Sequence, residues 1–197
     1  MNWVITGGCG FIGVNLVERL LRDDDRASVR VVDDLSASTR EDLGAVCSFR
    51  EVSATDLPPA GTPGVDLVVG DVRDRDLSLR ATRDADVVVH LAACSEVLRS
   101  VQDPVTDCEI NVLGTLNYLL GARDAGCSAF VLASSVATLG EQPPPVHEGQ
   151  VPRPLSPYGA SKVAGEAYLH AFFASYDLPT AALPFPHVSG PSSVTNG

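Results

Sequence analysis

Long apolar runs are absent from this sequence of 197 residues, and so are clustered cysteines and an excess of basic residues. No apolar stretch approaches the ~20 residues that a membrane-spanning helix needs. The segment after Met1 has neither a basic region nor a long apolar region, so we expect no export signal. These absences predict a cytoplasmic protein without a membrane partner.

The charge balance limits the partners further. The chain has 14 lysine and arginine residues against 25 aspartate and glutamate residues, which gives a formal net charge of -11. Such a surface repels polyanions, so we expect no nucleic acid partner. An anionic small molecule would need a local site of its own.

Metal and disulfide signals are missing as well. The five cysteines are odd in number, scattered, and without a Cys-x-x-Cys pair, which fits reduced thiols packed as small core residues. The acidic run 23–25 is interpreted as a solvated turn, so the sequence predicts no metal site. No Gly-x-Ser-x-Gly elbow is present, which makes a hydrolase the weakest functional class.

Short valine-rich runs alternate with segments of helical periodicity. Continuous apolar runs predict strands that are buried on both faces, as in a parallel sheet covered by helices. The alternation therefore predicts an α/β fold with a doubly wound parallel sheet, a Rossmann fold in three αβα layers. The predicted strands are 3–6, 29–32, 66–69, 86–90, 129–133 and 180–183, and the predicted helices are 11–22, 104–125 and 157–176.

A glycine-rich segment lies between the first predicted strand and the first predicted helix. It reads Thr6-Gly7-Gly8-Cys9-Gly10-Phe11-Ile12-Gly13. Glycines let the backbone turn tightly and approach a pyrophosphate, and a helix N-terminus presents unpaired amides to that anion. Strand, glycines and helix in this order predict a dinucleotide-binding loop, although a tight turn without a ligand remains an alternative.

Acidic residues end the second predicted strand. Asp33 and Asp34 begin twenty residues after Gly13, where a carboxylate can accept hydrogen bonds from the adenosine ribose. We therefore predict NAD as the cofactor. NADP is the alternative, and it would need a compensating arginine, for which Arg40 is the nearest downstream candidate.

Two more segments should rim the same cleft, because ligands of a doubly wound sheet lie outside the carboxyl ends of its strands. Asp71-Val72 follows the third predicted strand, and Leu91-Ala92-Ala93 follows the fourth. The alanines would let the backbone come close to a cofactor. His90, just before them, is interpreted as a structural residue rather than an acid or base.

Tyr158 and Lys162 are four residues apart on a predicted helix and therefore share one face. A cation beside a phenol favours the phenolate and lowers the phenol pKa, so the pair predicts a base. Taken alone the motif is weak, because a solvated surface pair has the same spacing.

Seven motifs in order resemble the extended short-chain dehydrogenase/reductase family, in particular its NAD-dependent sugar-nucleotide epimerases and dehydratases. They are Thr6 to Gly13, Asp33 to Ser36, Gly70 to Asp74, His90 to Ala93, Asn111 to Thr115, Ser134-Ser135 and Tyr158 to Lys162. The resemblance implies hydride transfer between NAD and a secondary alcohol or ketone carbon of a small molecule such as a nucleotide sugar. It favours a 4-epimerase-like reaction over a 4,6-dehydratase, because Val136-Ala137 stand where dehydratases have Asp-Glu.

The resemblance also implies roles for residues at the chemical end. Tyr158 would be the base, Lys162 would hold the phenolate and the nicotinamide ribose, and Ser135 would bond the reacting oxygen. Ser134 is the adjacent rival, and the distance to Gly140 favours Ser135. Asn111 resembles a buried asparagine near the cofactor, with helix packing as the alternative role.

The C-terminal region departs from the family. Residues 1–180 are predicted to form the NAD-binding domain, and residues 181–197 a remnant of the substrate-binding region or an irregular tail, with the substrate domain largely missing. Pro184 and Pro186 are expected to interrupt strand pairing. The chain is then a fragment, a shortened enzyme, or a vestigial, non-catalytic NAD-binding or partner subunit. The resemblance implies a homodimer through helices 104–125 and 157–176.

Overall fold

The computed structural model describes residues 1–147 and 149–190, and within them seven strands form one parallel sheet. The strands are β1 (Asn2–Thr6), β2 (Ser28–Asp33), β3 (Phe49–Val52), β4 (Gly64–Val69), β5 (Val87–His90), β6 (Ala129–Ser135) and β7 (Thr180–Phe185). The helices are α1 (Phe11–Asp23), α2 (Arg40–Gly44), α3 (Arg75–Ala81), α4 (Val97–Gln102), α5 (Pro104–Cys108), α6 (Thr115–Ala125) and α7 (Pro157–Tyr176). A π-helical segment (Glu109–Gly114) joins α5 to α6, and a 3₁₀ turn (Val136–Thr138) follows β6.

The sheet order is β3-β4-β2-β1-β5-β6-β7, so the chain changes direction across the sheet at β1. Thr6, at the end of β1, pairs with Val32 on one side and with His90 on the other. This is the topological switch point of a doubly wound sheet, where a crevice opens between neighbouring strand ends. The predicted α/β fold is confirmed.

Helices cover both faces of the sheet. On one face Leu77, Tyr118 and Phe172 of α3, α6 and α7 pack with Val4 and other strand residues. On the other face Val14 and Val17 of α1 and Leu43 of α2 pack against the opposite sides of the strands. Because both faces are buried, the central strands are continuously apolar, and that is the pattern from which they were predicted.

The six predicted strands and three predicted helices are present, with small differences at their ends. The prediction missed β3, whose Arg50 and Glu51 are exposed, because a half-solvated strand at the side of the sheet lacks the apolar run. It also missed the short helices α2, α3 and α4. The predicted helix 104–125 is one helical stretch with its π-helical segment in the middle.

The expectation that Pro184 interrupts pairing is wrong. β7 runs through Pro184, which pairs in register with Ser134 of β6. β7 is the last strand in the order described for the sheet. A proline is tolerated there because its missing N–H would point away from the sheet. The proposed boundary at residue 180 falls at the start of this strand, and the tail residues 191–197 lie outside the described residues.

A search of the described residues for a helix long and apolar enough to cross a bilayer finds none.

The packing of α6 on α3 depends on a glycine, which generates a first prediction. A Cβ on Gly121 would lie 2.5 Å from Thr82 Oγ1 and 3.1 Å from the Ser78 carbonyl oxygen. Gly121→Ala should therefore lower the free energy of unfolding by about 1–3 kcal/mol in urea denaturation. Gly44→Ala is the matched control, because its Cβ would meet nothing closer than 3.7 Å. Equal stability of the two variants would contradict this account of the packing.

Candidate active site

The glycine-rich loop turns between β1 and α1 in a conformation that only glycine adopts freely. Gly7 has φ +66°, and its N–H donates to the Val32 carbonyl at 2.8 Å. A Cβ on Gly7 would lie 2.7 Å from the Ala92 nitrogen, and a Cβ on Gly13 would lie 2.5 Å from the Gly8 Cα. The loop is thus a narrow backbone cradle, with α1 packed directly against it.

The N-terminus of α1 lies at this cradle, and no side chain caps its backbone amides. Gly10 is the N-cap residue, no side chain caps the helix, and no acidic residue lies in its first turn. Unpaired amides and the positive end of the helix dipole therefore favour an anion at this point. This arrangement fits the pyrophosphate of a dinucleotide.

Asp33 anchors the loop, a role that the sequence did not reveal. One carboxylate oxygen accepts from the Cys9 N–H at 2.9 Å, and the other accepts from the Leu35 N–H at 2.9 Å and from Ser38 Oγ at 3.3 Å. Burial raises the pKa of Asp33, and the two backbone hydrogen bonds oppose that rise. A carboxylate has about four acceptor positions, so about one remains for a ribose hydroxyl.

The arginine that NADP would need is occupied elsewhere. The Arg40 guanidinium makes a forked ion pair with Glu51, with N–O distances of 2.7 and 3.0 Å. Asp34 is exposed at the cleft and accepts from the N–H and the hydroxyl of Ser36. The rim of this pocket therefore carries negative charge, which disfavours a 2′-phosphate.

The ends of β1 and β5 are tied together beneath the cleft. Thr6 Oγ1 lies 2.8 Å from His90 Nδ1 and accepts from the Ala92 N–H at 3.2 Å. Burial lowers the pKa of His90 to about 3, so the ring stays neutral at ordinary pH. His90 therefore has the structural role expected of it.

On the opposite side of the cleft, Asp71 is held by Arg73. Arg73 Nη2 lies 2.6 Å from Asp71 Oδ2, and Nη1 of the same guanidinium lies 3.3 Å from Glu109 in the π-helical segment. The hydrogen bond with Arg73 lowers the pKa of Asp71. The Arg73–Glu109 ion pair joins the segment after β4 to the helical stretch 104–125.

All these segments converge with the end of β6 and the start of α7 on one cleft of about 760 Å³. Of the predicted site residues, Asn111 alone does not line it. The predicted residues that do are Gly7, Gly10, Phe11, Ile12, Gly13, Asp33, Asp34, Asp71, Val72, Leu91, Ala92, Ala93, Ser135, Tyr158 and Lys162.

Tyr158 and Lys162 lie on the first two turns of α7. Lys162 Nζ lies 5.8 Å from the centre of the Tyr158 ring and donates to the Ala133 carbonyl of β6 at 2.9 Å. The N-terminus of α7 is fixed by Ser156, which accepts from the Gly159 N–H, and by Ser100, which accepts from the Tyr158 N–H at 3.1 Å. The helix therefore holds the phenol against the end of β6.

The pKa of Tyr158 departs from the sequence argument. Burial raises it above its ordinary value, and a hydrogen bond with Ser135 acts in the opposite direction. The expectation that Lys162 lowers this pKa is wrong for this arrangement, because the ammonium is directed at the Ala133 carbonyl instead of the phenol oxygen.

Lys162 is the only lysine in the chain, and it is 4% exposed. Burial lowers its pKa to about 8, while the negative charges of Asp107 and Glu166 oppose the fall. The ammonium therefore remains protonated at neutral pH in a nearly dry site.

The two adjacent serines of β6 have different partners. Ser134 donates to the carboxylate of Glu166 on α7. Ser135 acts on Tyr158 by lowering its pKa, and its Oγ accepts from the Ala137 N–H at 3.1 Å. Ser135 is thus the serine that acts on the phenol, whereas Ser134 is directed toward Glu166.

Asn111, predicted to contact the cofactor, is buried behind the cleft wall. Its Oδ1 accepts from the Cys94 N–H at 2.8 Å, and its Nδ2 donates to the Cys94 carbonyl at 3.0 Å and to Asp107 at 2.9 Å. These bonds satisfy the amide, so the packing role left open in the sequence fits the geometry better than cofactor contact.

Two carboxylates near Lys162 were missed by sequence reasoning, namely the buried Asp107 and the partly buried Glu166. Both stand at helical spacing, four residues before Asn111 and four after Lys162, and this spacing was the only signal available. Within residues 1–147 and 149–190, no group of three or more His, Cys, Asp or Glu side chains is placed to hold a metal ion.

Comparison with known proteins identifies the class. The sequence profile of the NAD dependent epimerase/dehydratase family matches residues 3–197. The chain belongs to that family, as the seven motifs predicted.

Individual relatives agree with this assignment. The UDP-glucose 4-epimerase of Mycolicibacterium smegmatis is 36% identical over 200 residues, which cover 100% of this chain and 59% of the relative. The structure of Thermus thermophilus UDP-glucose 4-epimerase in complex with NAD has 38% identity and a TM-score of 0.83, and the match covers 100% of this chain and 58% of that one. A UDP-N-acetylglucosamine 4-epimerase from Methanobrevibacter ruminantium, in complex with UDP-N-acetylmuramic acid, has 32% identity and a TM-score of 0.84. The match covers 100% of this chain and 58% of that one. The chain spans less than two thirds of the length of these relatives.

The burial of Lys162 generates a second prediction. In protein labelled with ¹³C-lysine, the single Lys162 signal should titrate with a midpoint near 8, against the ordinary lysine value of about 10.5, because burial disfavours its charge. The α-amino group is silent in this experiment. A midpoint near 10.5 would show that the ammonium is solvated.

Proposed function

We propose that this chain binds NAD and catalyses hydride transfer at a secondary alcohol or ketone carbon of a nucleotide sugar, in the manner of a 4-epimerase. The observation that carries the proposal is the meeting, in one cleft, of a dinucleotide-type loop with the Ser135, Tyr158 and Lys162 side chains. The relatives that act on UDP-sugars support the substrate class.

The residues present fit NAD. The uncapped N-terminus of α1 suits the pyrophosphate, and the remaining acceptor position of Asp33 suits a ribose hydroxyl. The Arg40–Glu51 ion pair and the negative rim favour NAD over NADP. Bound NAD would supply the acceptor and donor of the hydride.

The side chains at the chemical end have complementary roles. Oxidation of a secondary alcohol removes the hydroxyl proton and a hydride from the same carbon. In our proposal Tyr158 takes that proton as general base, and Ser135 donates a hydrogen bond to the same oxygen. In our proposal Lys162, whose ammonium is fixed at the Ala133 carbonyl, holds the nicotinamide ribose.

A reducing compartment such as the cytoplasm is part of the proposal. All five cysteines are unpaired thiols. Burial raises the pKa of Cys9 to about 12 and that of Cys127 to about 11, which keeps both thiols protonated and unreactive.

Replacement of Tyr158 is the direct test. Tyr158→Phe should abolish turnover of UDP-sugars with NAD while the Kd for NAD, measured by calorimetry, changes less than about threefold, because the ring remains and only the proton acceptor is lost. Tyr168→Phe is the matched control, since Tyr168 is not among the residues of the cleft. Equal activity of Tyr158→Phe and the unaltered protein would contradict the mechanism.

The same assay separates an enzyme from a binding subunit. A panel of nucleotide sugars and small secondary alcohols is supplied with NAD, and NADH is followed by absorbance alongside product analysis for inverted sugars. Tight NAD binding without NADH or product would reject the catalytic proposal and favour a non-catalytic NAD-binding subunit.

We also propose a homodimer through helices 104–125 and 157–176. Large apolar side chains are exposed on both stretches, including Val105 at 66%, Leu113 at 50% and Phe173 at 53%. Apolar area of this kind is stabilised by burial against a second copy.

Light scattering should therefore give about twice the chain mass of 20.6 kDa. Val105→Asp should shift the mass to that of the monomer, because a charge would be buried at the contact. Thr55→Asp, an exposed residue on the opposite side of the sheet order, is the control. A monomeric unaltered protein would contradict the proposal.

A further inference from the structure

Asp107 on α5 is a buried carboxylate that the proposed chemistry does not use. It is 1% exposed, although it belongs to a five-residue helix near the surface. An ionisable group is rarely buried to this extent unless it is paired or hydrogen-bonded. Its partners therefore indicate what it does.

The contacts of Asp107 extend to the main chain of the proposed base, Tyr158. Asn111 Nδ2 donates to Asp107 at 2.9 Å and lies 3.2 Å from Ser161 Oγ. Ser161 Oγ in turn donates to the main-chain carbonyl of Tyr158 at 2.9 Å. A series of close polar contacts thus runs from α5, through the π-helical segment, to the first turn of α7.

Charge links the same carboxylate to both members of the pair. Lys162 is faced by Asp107 from α5 and by Glu166 from α7, which both raise its pKa, and by the neutral His90 of β5. Tyr158 is faced by Asp107 and Cys94, which raise its pKa, and by Ser135. Among the carboxylates of residues 1–147 and 149–190, Asp107 is the one that acts on both groups.

The state of Asp107 is set by opposite effects. The pKa of Asp107 lies above its ordinary value because burial raises it, while the hydrogen bond from Asn111 and the charge of Lys162 act in the opposite direction. That hydrogen bond and the ammonium favour the ionised form.

We propose that Asp107 is a positioning residue for the Tyr158–Lys162 pair. Its carboxylate fixes Asn111 and Ser161 under the Tyr158 backbone, and its negative charge keeps the buried Lys162 ammonium protonated. The role in catalysis rests on the proposed function, whereas the charge relation to Lys162 does not.

The test replaces the charge and keeps the shape. In Asp107→Asn, the ¹³C-lysine signal of Lys162 should titrate roughly one pH unit lower than in the unaltered protein, because a nearby opposite charge is gone. The ¹³Cζ signal of Tyr158, assigned by its loss in Tyr158→Phe, should also titrate at lower pH. A merely structural asparagine or aspartate would move neither midpoint.

Two matched variants sharpen the result. Glu166→Gln should lower the titration midpoint of Lys162 and leave that of Tyr158 unchanged, because Glu166 raises the pKa of Lys162 and has no effect on that of Tyr158. Asp124→Asn removes the same charge at an exposed position on α6 and should move neither. An unchanged or higher Lys162 midpoint in Asp107→Asn would overturn the proposal.

Asp107→Ser provides a smaller uncharged variant if the asparagine does not fold. In the unaltered protein, the ¹³Cγ shift of Asp107 must also show a carboxylate at pH 7, and a protonated acid would overturn the proposal without any variant. These titrations need neither NAD nor substrate. Both shifts in a chain that transfers no hydride would reject the proposed function and leave the role of Asp107 as charge partner intact.

Discussion

The arrangement of the chemical end depends on one buried ammonium group. Lys162 Nζ is almost without solvent, and a charge in that position requires hydrogen-bond acceptors and a compensating negative charge. The Ala133 carbonyl supplies the acceptor, and Asp107 and Glu166 supply the charge. Three elements, β6, α5 and α7, are therefore held in fixed relation by the need to pair a single group.

That requirement also explains why the two adjacent serines have different partners. Successive residues of a strand point to opposite faces, so Ser134 and Ser135 cannot serve the same neighbour. Ser134 satisfies Glu166, which faces Lys162 from below, and Ser135 is left to meet the phenol. The choice between them follows from strand geometry together with the position of Glu166.

The cofactor end is organised around a different carboxylate and is nearly independent of the first. Asp33 accepts from the backbone at Cys9, after β1, and at Leu35, after β2, and so holds the glycine loop to the end of β2. The contact between Gly7 and Ala92 joins the cofactor end to the chemical end. A side chain at Gly7 would meet the backbone after β5 there. Small residues at this point set the width of the cleft.

Much of this could be predicted from the sequence, because apolar runs, glycines at a strand-to-helix turn and acidic strand ends report local geometry. The central strands were found because burial on both faces leaves a continuous apolar signal, whereas β3 with Arg50 and Glu51 leaves none. The contacts of Asp107 and Asn111 depend on how α5 and α7 meet, and no local pattern encodes that meeting. The direction of the Tyr158 pKa was missed for the same reason, because spacing shows that a lysine is near but does not show which carbonyl it binds.

The pKa values of the pair bear on how the proposed base would become active. The pKa of Lys162 is lowered to about 8, and the pKa of Tyr158 is raised above its ordinary value. The protein alone therefore favours a protonated phenol. The carboxylate of Asp107 opposes the first shift, since it raises the pKa of Lys162, and contributes to the second, since it raises the pKa of Tyr158. Two coupled groups of this kind share their protons as a unit, and a positive charge brought into the cleft would shift that unit toward the phenolate. In the proposed reaction, a phenol kept protonated in this way would act as a base only when the cleft is occupied.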